Sequence, residues 1–108
     1  MTGLVGSGTV TLSPVDHSTK CLRHQSNNMI LTDCSALTSD LHRQDATFYV
    51  VAGWFGASQG YISLQSYNYP TSFIRHSGFN MITGTVNAAS SALFKQDASF
   101  LAELVSSG

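Results

Sequence analysis

RHQSNNMI occupies residues 23–30 and RHSGFNMI residues 75–82. Two nearly identical octets at one fixed offset of 52 residues point to a duplicated structural unit, not to an accident of composition. The offset holds outward in both directions without a gap. Gly8 falls on Gly60, Leu12 on Leu64 and Thr19 on Thr71; downstream, Leu41 falls on Leu93 and QDATF (44–48) on QDASF (96–100). Conservative pairs fill the intervals: Val10 with Ile62, Leu22 with Ile74, Arg43 with Lys95. The 108 residues therefore read as a single domain, 1–108, built from two tandem repeats at about 8–53 and 60–105.

Within each unit, TVTL (9–12) and YISL (61–64) alternate with period two and carry β-branched or aromatic residues, the pattern of a strand. KCLRH (20–24) and SFIRH (72–76) read as a second strand. The polar and glycine residues of 25–28 and 77–80 read as hairpin turns. Residues 29–31 and 81–83 return as a third strand, and 46–51 and 98–105 as a fourth. Segments 35–40 and 87–92 have room for a short helical turn only, well below the length of a stable isolated helix. Four short strands per unit place the chain in the all-β class.

Only 10% of the residues are charged, against roughly 25% in an average soluble domain. The polar surface must then come from Ser, Thr, Asn, Gln and Gly, which suits hydrogen bonding to neutral, hydroxyl-rich ligands. A net charge of −1, with five Lys and Arg scattered along the chain, offers no basic stripe for phosphate, so no nucleic-acid partner is expected. No apolar run approaches the ~20 residues of a membrane-spanning helix, so no membrane insertion is expected. MTGLVGSG (1–8) has neither a positive n-region nor an apolar h-region. No signal peptide is expected, and the localisation stays open between cytosol, export by another route and a mature form.

GYISLQSYNYP (60–70), FIRH (73–76) and ALFKQDASF (92–100), in this order, resemble the AbfB domain, the arabinofuranose-binding module of α-L-arabinofuranosidases, also called carbohydrate-binding module family 42. The resemblance covers both units and is closer in the second. The first keeps LRH (22–24) and DATF (45–48) but has Asp16-His17-Ser18 where the second has Asn68-Tyr69-Pro70. The resemblance implies a β-trefoil, three four-stranded lobes closing one barrel. Three units at this offset would take about 156 residues, and two are present. Barrel strands without neighbours are a liability for a β protein. Either lobes from different subunits complete the barrel, giving a homo-oligomer, most simply a trimer or a multiple of three, or another β arrangement buries its open edge in a partner.

The resemblance also implies that His24 and Asp45 border one sugar pocket and His76 and Asp97 a second. The pairing makes chemical sense, because a carboxylate accepts from two adjacent hydroxyls and an imidazole donates or accepts toward a ring oxygen. Asn68 and Tyr69 are expected to contribute to the second pocket, and Asp16 stands in the corresponding position of the first unit. The structural alternative gives the Asp residues the role of holding turn amides and the His residues that of bonding a carbonyl within each unit. Arg23 and Arg75 read as structural, with the aliphatic stem on the barrel and the charged head outside.

Hydrolysis of a glycoside wants two placed carboxylates; Asp16, Asp33, Asp40, Asp45, Asp97 and Glu103 form no convincing pair. There is no Gly-x-Ser-x-Gly elbow, no phosphate loop and no zinc-ligand spacing. Neither catalysis nor a cofactor or metal is expected. Cys21 and Cys34 align with Phe73 and Val86, apolar positions that favour buried free thiols; a bridge across a hairpin is the alternative. Trp54 and Phe55, in the connection between units, read as junction packing, with a sugar-stacking or intersubunit role as the sharper reading. The expected function is lectin-like, non-catalytic carbohydrate binding with one pocket per repeat. The alternative is an oligomeric structural or protein-interaction module that has lost sugar affinity.

Overall fold

In the computed structural model, which describes residues 3–14, 16–77 and 80–101, the elements are β1 (Thr9–Val10), β2 (Lys20–Gln25), β3 (Asn28–Asp33), α1 (Asp40–Asp45), β4 (Phe48–Ala52), β5 (Tyr61–Ser66), β6 (Ser72–Ser77), β7 (Asn80–Thr85), α2 (Ala92–Asp97) and β8 (Phe100–Leu101). The class is all-β, as the sequence implied. Every element of the first half begins 52 residues before its counterpart in the second. Two expected features lie outside the described residues: the tip of the second hairpin turn, 78–79, and the end of the last strand, 102–105.

Each octet makes a tight hairpin. β2 and β3 pair antiparallel from Lys20↔Asp33 to Gln25↔Asn28, and β6 and β7 from Ser72↔Thr85 to Ser77↔Asn80. In the first, Ser26 and Asn27 both adopt positive φ (50° and 68°), the conformation a two-residue turn needs to match strand twist. The two hairpins meet where Asn28 pairs with Ile82, helped by a hydrogen bond from Thr83 N to Asn27 O (2.9 Å).

The remaining strands form the wall. β1 pairs with β4, β4 with β5 over five residues, and β5 with both β6 and β8, all antiparallel. The eight strands make one curled sheet, a half-barrel in form. Among the described residues β2 pairs only with β3 and β8 only with β5, while β1, paired with β4 on one side, has Thr9 O taken on the other by Gly3 N (2.9 Å).

Burial follows the same offset. Cys21, Leu37 and Ala46 pack with Leu4 and Cys34 beneath α1. Phe73, Val86 and Ala98 pack with Val51 and Trp54 beneath α2. Between them lies a shared cluster of Phe48, Leu64 and Ile74, flanked by Val10, Leu12, Met29, Ile62 and Phe100. This central cluster is open on one side. Leu12, Leu22, Met29, Leu64, Ile74, Met81 and Phe100 line an apolar hollow of about 270 Å³.

Two expectations are corrected. Cys21 and Cys34 are bridged, with Cα atoms 5.1 Å apart, and are not free thiols. The hairpin register sets Cys21 opposite Thr32, and the 3-10 turn Cys34–Ala36 then folds back, with Cys34 N bonding Thr19 O (2.9 Å). Apolar alignment showed that the positions were interior but not that they were adjacent. The helices also lie further along than 35–40 and 87–92. Ser39 and Ser91 are N-caps, accepting from His42 N (3.1 Å) and Phe94 N (3.2 Å), so each helix starts at the residue after its serine. Ala46 and Ala98, expected in strands, are the C-caps. Among the described residues, no helix is long and apolar enough to cross a membrane.

Candidate functional site

The capped helices place the two aspartates. Asp45 and Asp97 are the last residues of α1 and α2, and the alanine after each is fully buried. Thr47 and Ser99 then turn their hydroxyls back to Arg43 O and Lys95 O (both 2.7 Å), closing each helix end against the sheet. A small buried residue directly after the carboxylate holds it at the rim of the fold.

His24 and Asp45 are both nearly buried, their side chains 8% and 10% exposed, with Nε2 3.5 Å from Oδ1. The structure brings Asn68 and Tyr69 to this pair, not to His76 and Asp97. The cause is topological: β4 pairs with β5, so the loop leaving β5 arrives over the pair contributed by the first half of the chain. His24 Nε2 donates to Asn68 Oδ1 (3.0 Å), and Asn68 Nδ2 donates to Asp45 Oδ1 (2.8 Å). Ser66, fully buried on β5, donates to Asn68 Oδ1 (3.1 Å), accepts from Tyr69 N (3.2 Å) and lies 3.3 Å from His24 Nε2. The Tyr69 ring stands edge-on to His24 with centroids 5.5 Å apart, and the residue is largely exposed.

His24, Asp45, Ser66 and Tyr69 border a cavity of about 320 Å³, also lined by Gln25, Ser26, Asn27, His42, Ser72 and Thr83; Asn68 links His24 to Asp45 behind its wall. That is the lower end of the size range of small-molecule sites. Asp45 Oδ2 takes no hydrogen bond from a described residue. Amides, hydroxyls and one half-committed carboxylate beside an aromatic ring can bind a neutral polyol: hydroxyls donate to Oδ2, and the ring covers a C–H face. Ser66 and the turn residues 26–27 were not among the residues singled out from the sequence. A buried serine in the middle of a strand resembles any other core hydroxyl until its neighbours are known.

The second pair is built alike but stands open. His76 Nε2 lies 3.2 Å from Asp97 Oδ1, yet the His76 side chain is 52% exposed. Arg75 reaches the other oxygen, Oδ2, at 3.4 Å, and its guanidinium lies 4.2 Å over the Phe94 ring. Arg23 behaves differently because Thr32 Oγ1 accepts from its Nε (3.1 Å). The counterpart of Thr32 is Gly84, which offers no hydroxyl and whose added Cβ would approach Arg75 Cδ to 3.2 Å. Arg75 thus lies in the space a side chain would take and turns to Asp97. Asp16 and His17 are exposed, stand apart from the cavity, and make no side-chain hydrogen bond or ion pair with described residues. Trp54 packs edge-on against Phe73 (5.5 Å), while Phe55 and Tyr61 border a separate cleft of about 280 Å³.

The sequence pattern of the alpha-L-arabinofuranosidase B (ABFB) domain matches residues 1–102. The chain belongs to the ABFB domain family. Among solved structures, this ABFB domain superposes with a TM-score of 0.75 on an arabinofuranosidase complexed with arabinofuranosyl-alpha-1,2-xylobiose, at 28% identity over 93% of this chain and 20% of that one. Two structures of GH54 a-l-arabinofuranosidase, a variant soaked with 4-nitrophenyl a-l-arabinofuranoside and an enzyme soaked with a cyclic sulfate inhibitor, give TM-scores of 0.72 at 24% and 23% identity. These two cover 90% of this chain and 20% of theirs and establish likeness of fold alone. The ABFB domain described here spans about a fifth of each of those enzymes. No protein of curated function matches the sequence.

The amide of Asn68 is the keystone of the covered site, and its chemistry can be tested. Asn68→Asp would set a second carboxylate against Asp45, which has no guanidinium within ion-pair distance among the described residues. Losing the donor and adding the repulsion is expected to lower stability by about 1–3 kcal/mol, read as a drop in urea midpoint. An unchanged midpoint would show that the His24–Asn68–Asp45 chain of hydrogen bonds contributes nothing to the fold.

Proposed function

We propose that this ABFB domain is a non-catalytic carbohydrate-binding module, with its principal site in the cavity lined by His24, Asp45 and Tyr69 and braced by Asn68. The observation that carries the reading is Asp45: nearly buried, tied to Asn68 through one oxygen, and bonded at the other to no described residue, which leaves it able to accept sugar hydroxyls at the cavity. The family supports a sugar as the ligand class. The arabinofuranosyl ligand in the 28%-identical structure makes a terminal arabinofuranosyl group the first to test. The reading includes two tandem repeats, about 8–53 and 60–105, each a lobe of a trefoil-like arrangement. It also includes assembly of copies into a homo-oligomer, a trimer or multiple of three being the simplest count that yields whole threefold sets. The open side of β8 and the open apolar hollow support that assembly.

Titration calorimetry with arabinofuranosyl oligosaccharides tests the site. His24→Ala and Asp45→Ala should each weaken binding by roughly 5- to 150-fold, the effect of losing one or two polar contacts worth about 1–3 kcal/mol. The variants should leave the glycoside intact, as the wild type does. Wild-type affinity in both folded variants would remove the cavity from the reading. An absence of binding to any glycan by the wild type would favour the interaction-module alternative.

A further inference from the structure

The covered pair and the open pair differ in one respect that the chain itself can supply. His24 and Asp45 lie under the loop bearing Asn68 and Tyr69. At the offset of 52 residues, the matching loop bears Asp16 and His17. In this chain that loop lies over neither pair. Among the described residues, the His76–Asp97 pair lacks a loop and the Asp16–His17 loop lacks a pair. We infer that the Asp16–His17 loop of a second copy of this chain seats on His76 and Asp97, so that a head-to-tail contact between copies completes a second polar site. The inference rests on the proposed assembly and names the surfaces that make it.

Charge favours this match over a chance one. In the covered site the loop residue is the neutral Asn68, and Asp45 has no guanidinium partner. In the open site Asp97 is already balanced by Arg75 at 3.4 Å, and the loop residue is the carboxylate Asp16. A second carboxylate enters the open site without facing an unbalanced one. It meets a guanidinium whose Nε is buried without a hydrogen-bond partner and an imidazole more than half exposed. The edge agrees with the loop. β8, just after Asp97, pairs only with β5 among the described residues, and a strand of the next copy added at its open side would extend the sheet from one copy to the next. The apolar hollow beside β8, bordered by Phe100 and Met81, is covered by the same approach. A heterologous contact of this kind closes into a ring when the rotation allows and extends otherwise.

Sedimentation velocity on wild type, Asp16→Lys, His76→Glu and an equimolar mixture of the two variants tests the contact at about 100 μM, where micromolar association is visible. Both substitutions fall on exposed side chains, and circular dichroism checks the fold of each. Wild type should associate. Each variant alone should associate at least about tenfold more weakly. In one, the ammonium introduced into the loop meets the Arg75 guanidinium; in the other, the Asp16 carboxylate meets the carboxylate introduced beside Asp97. The mixture should recover association, because every contact between unlike variants pairs opposite charges. Undiminished assembly of both variants, or a mixture no better than its components, overturns the inference while leaving another mode of assembly open. A monomeric wild type overturns the inference and the proposed assembly together, and gives the open edge to a different occupant; sugar binding at His24 is measured separately and stands or falls alone.

Discussion

Reducing the Cys21–Cys34 bridge should lower the unfolding free energy by about 3 kcal/mol, the chain-entropy value for a loop of this size. The bridge spans 13 residues and lies in the cluster of Leu37 and Ala46 under α1. Ala46 follows Asp45, so the loss should reach the site: α1 frays, the carboxylate loses its fixed position, and sugar affinity falls with stability. The corresponding cluster in the second half holds Phe73 and Val86 by packing alone and serves as an internal control. Urea titrations with and without reductant, with hydrogen exchange resolved by residue, make the measurement. A midpoint that does not move would mean that the reduced chain keeps the same constraint by packing. Uniform loss of protection across both halves would mean that the bridge acts on the whole fold and not on one side of it.

Phe48→Ala should cost about 3–5 kcal/mol, the range for emptying a fully buried aromatic site. Phe48 is fully buried at the centre of the shared cluster. Its counterpart Phe100 is only partly buried, at the border of the open hollow, so Phe100→Ala in dilute protein should cost about 1–2 kcal/mol, in keeping with partial burial. The difference between the two should shrink as protein concentration rises, because a contact that covers the hollow buries Phe100 as well. Thermal or chemical melts of both variants over a wide concentration range provide the comparison. A gap that stays constant would show that nothing covers the hollow in solution.

Much of this architecture could be read from the chain because repetition supplies its own alignment. The octets at 23–30 and 75–82 gave the hairpins of β2 with β3 and of β6 with β7, and alternating residues gave β1 and β5, to within a few residues. Asp45 and His24 became site candidates through the resemblance of their DATF and LRH segments to the AbfB domain. Three things were hidden, each for a physical reason. The bridge depends on a 3-10 turn bringing Cys34 back to Cys21, and hydrophobic alignment carries no information on distance. The helices depend on serine caps and on packing of Ala46 and Ala98, while six residues have almost no helical signal of their own. The partners of His24 depend on which strand β5 joins. β5 meets β8 of its own unit only at Tyr61 and Ile62, while its far end pairs with β4 at Phe48↔Ser66, and that pairing puts Asn68 beside Asp45.

If the cavity is the sugar site proposed, that last pairing sets how many binding sites a given length of this sequence can hold. The cavity takes its histidine and aspartate from one stretch and its tyrosine, with the asparagine that braces the pair, from the next, so a single stretch alone would have no complete site. Sites here belong to junctions, as gaps belong to a row of posts: two stretches in an open row share one, and each added stretch contributes one more. Closing the row creates an extra junction without an extra residue. Valence would then be set by topology, and a contact that joins the free ends would act as the switch between one complete site per chain and two.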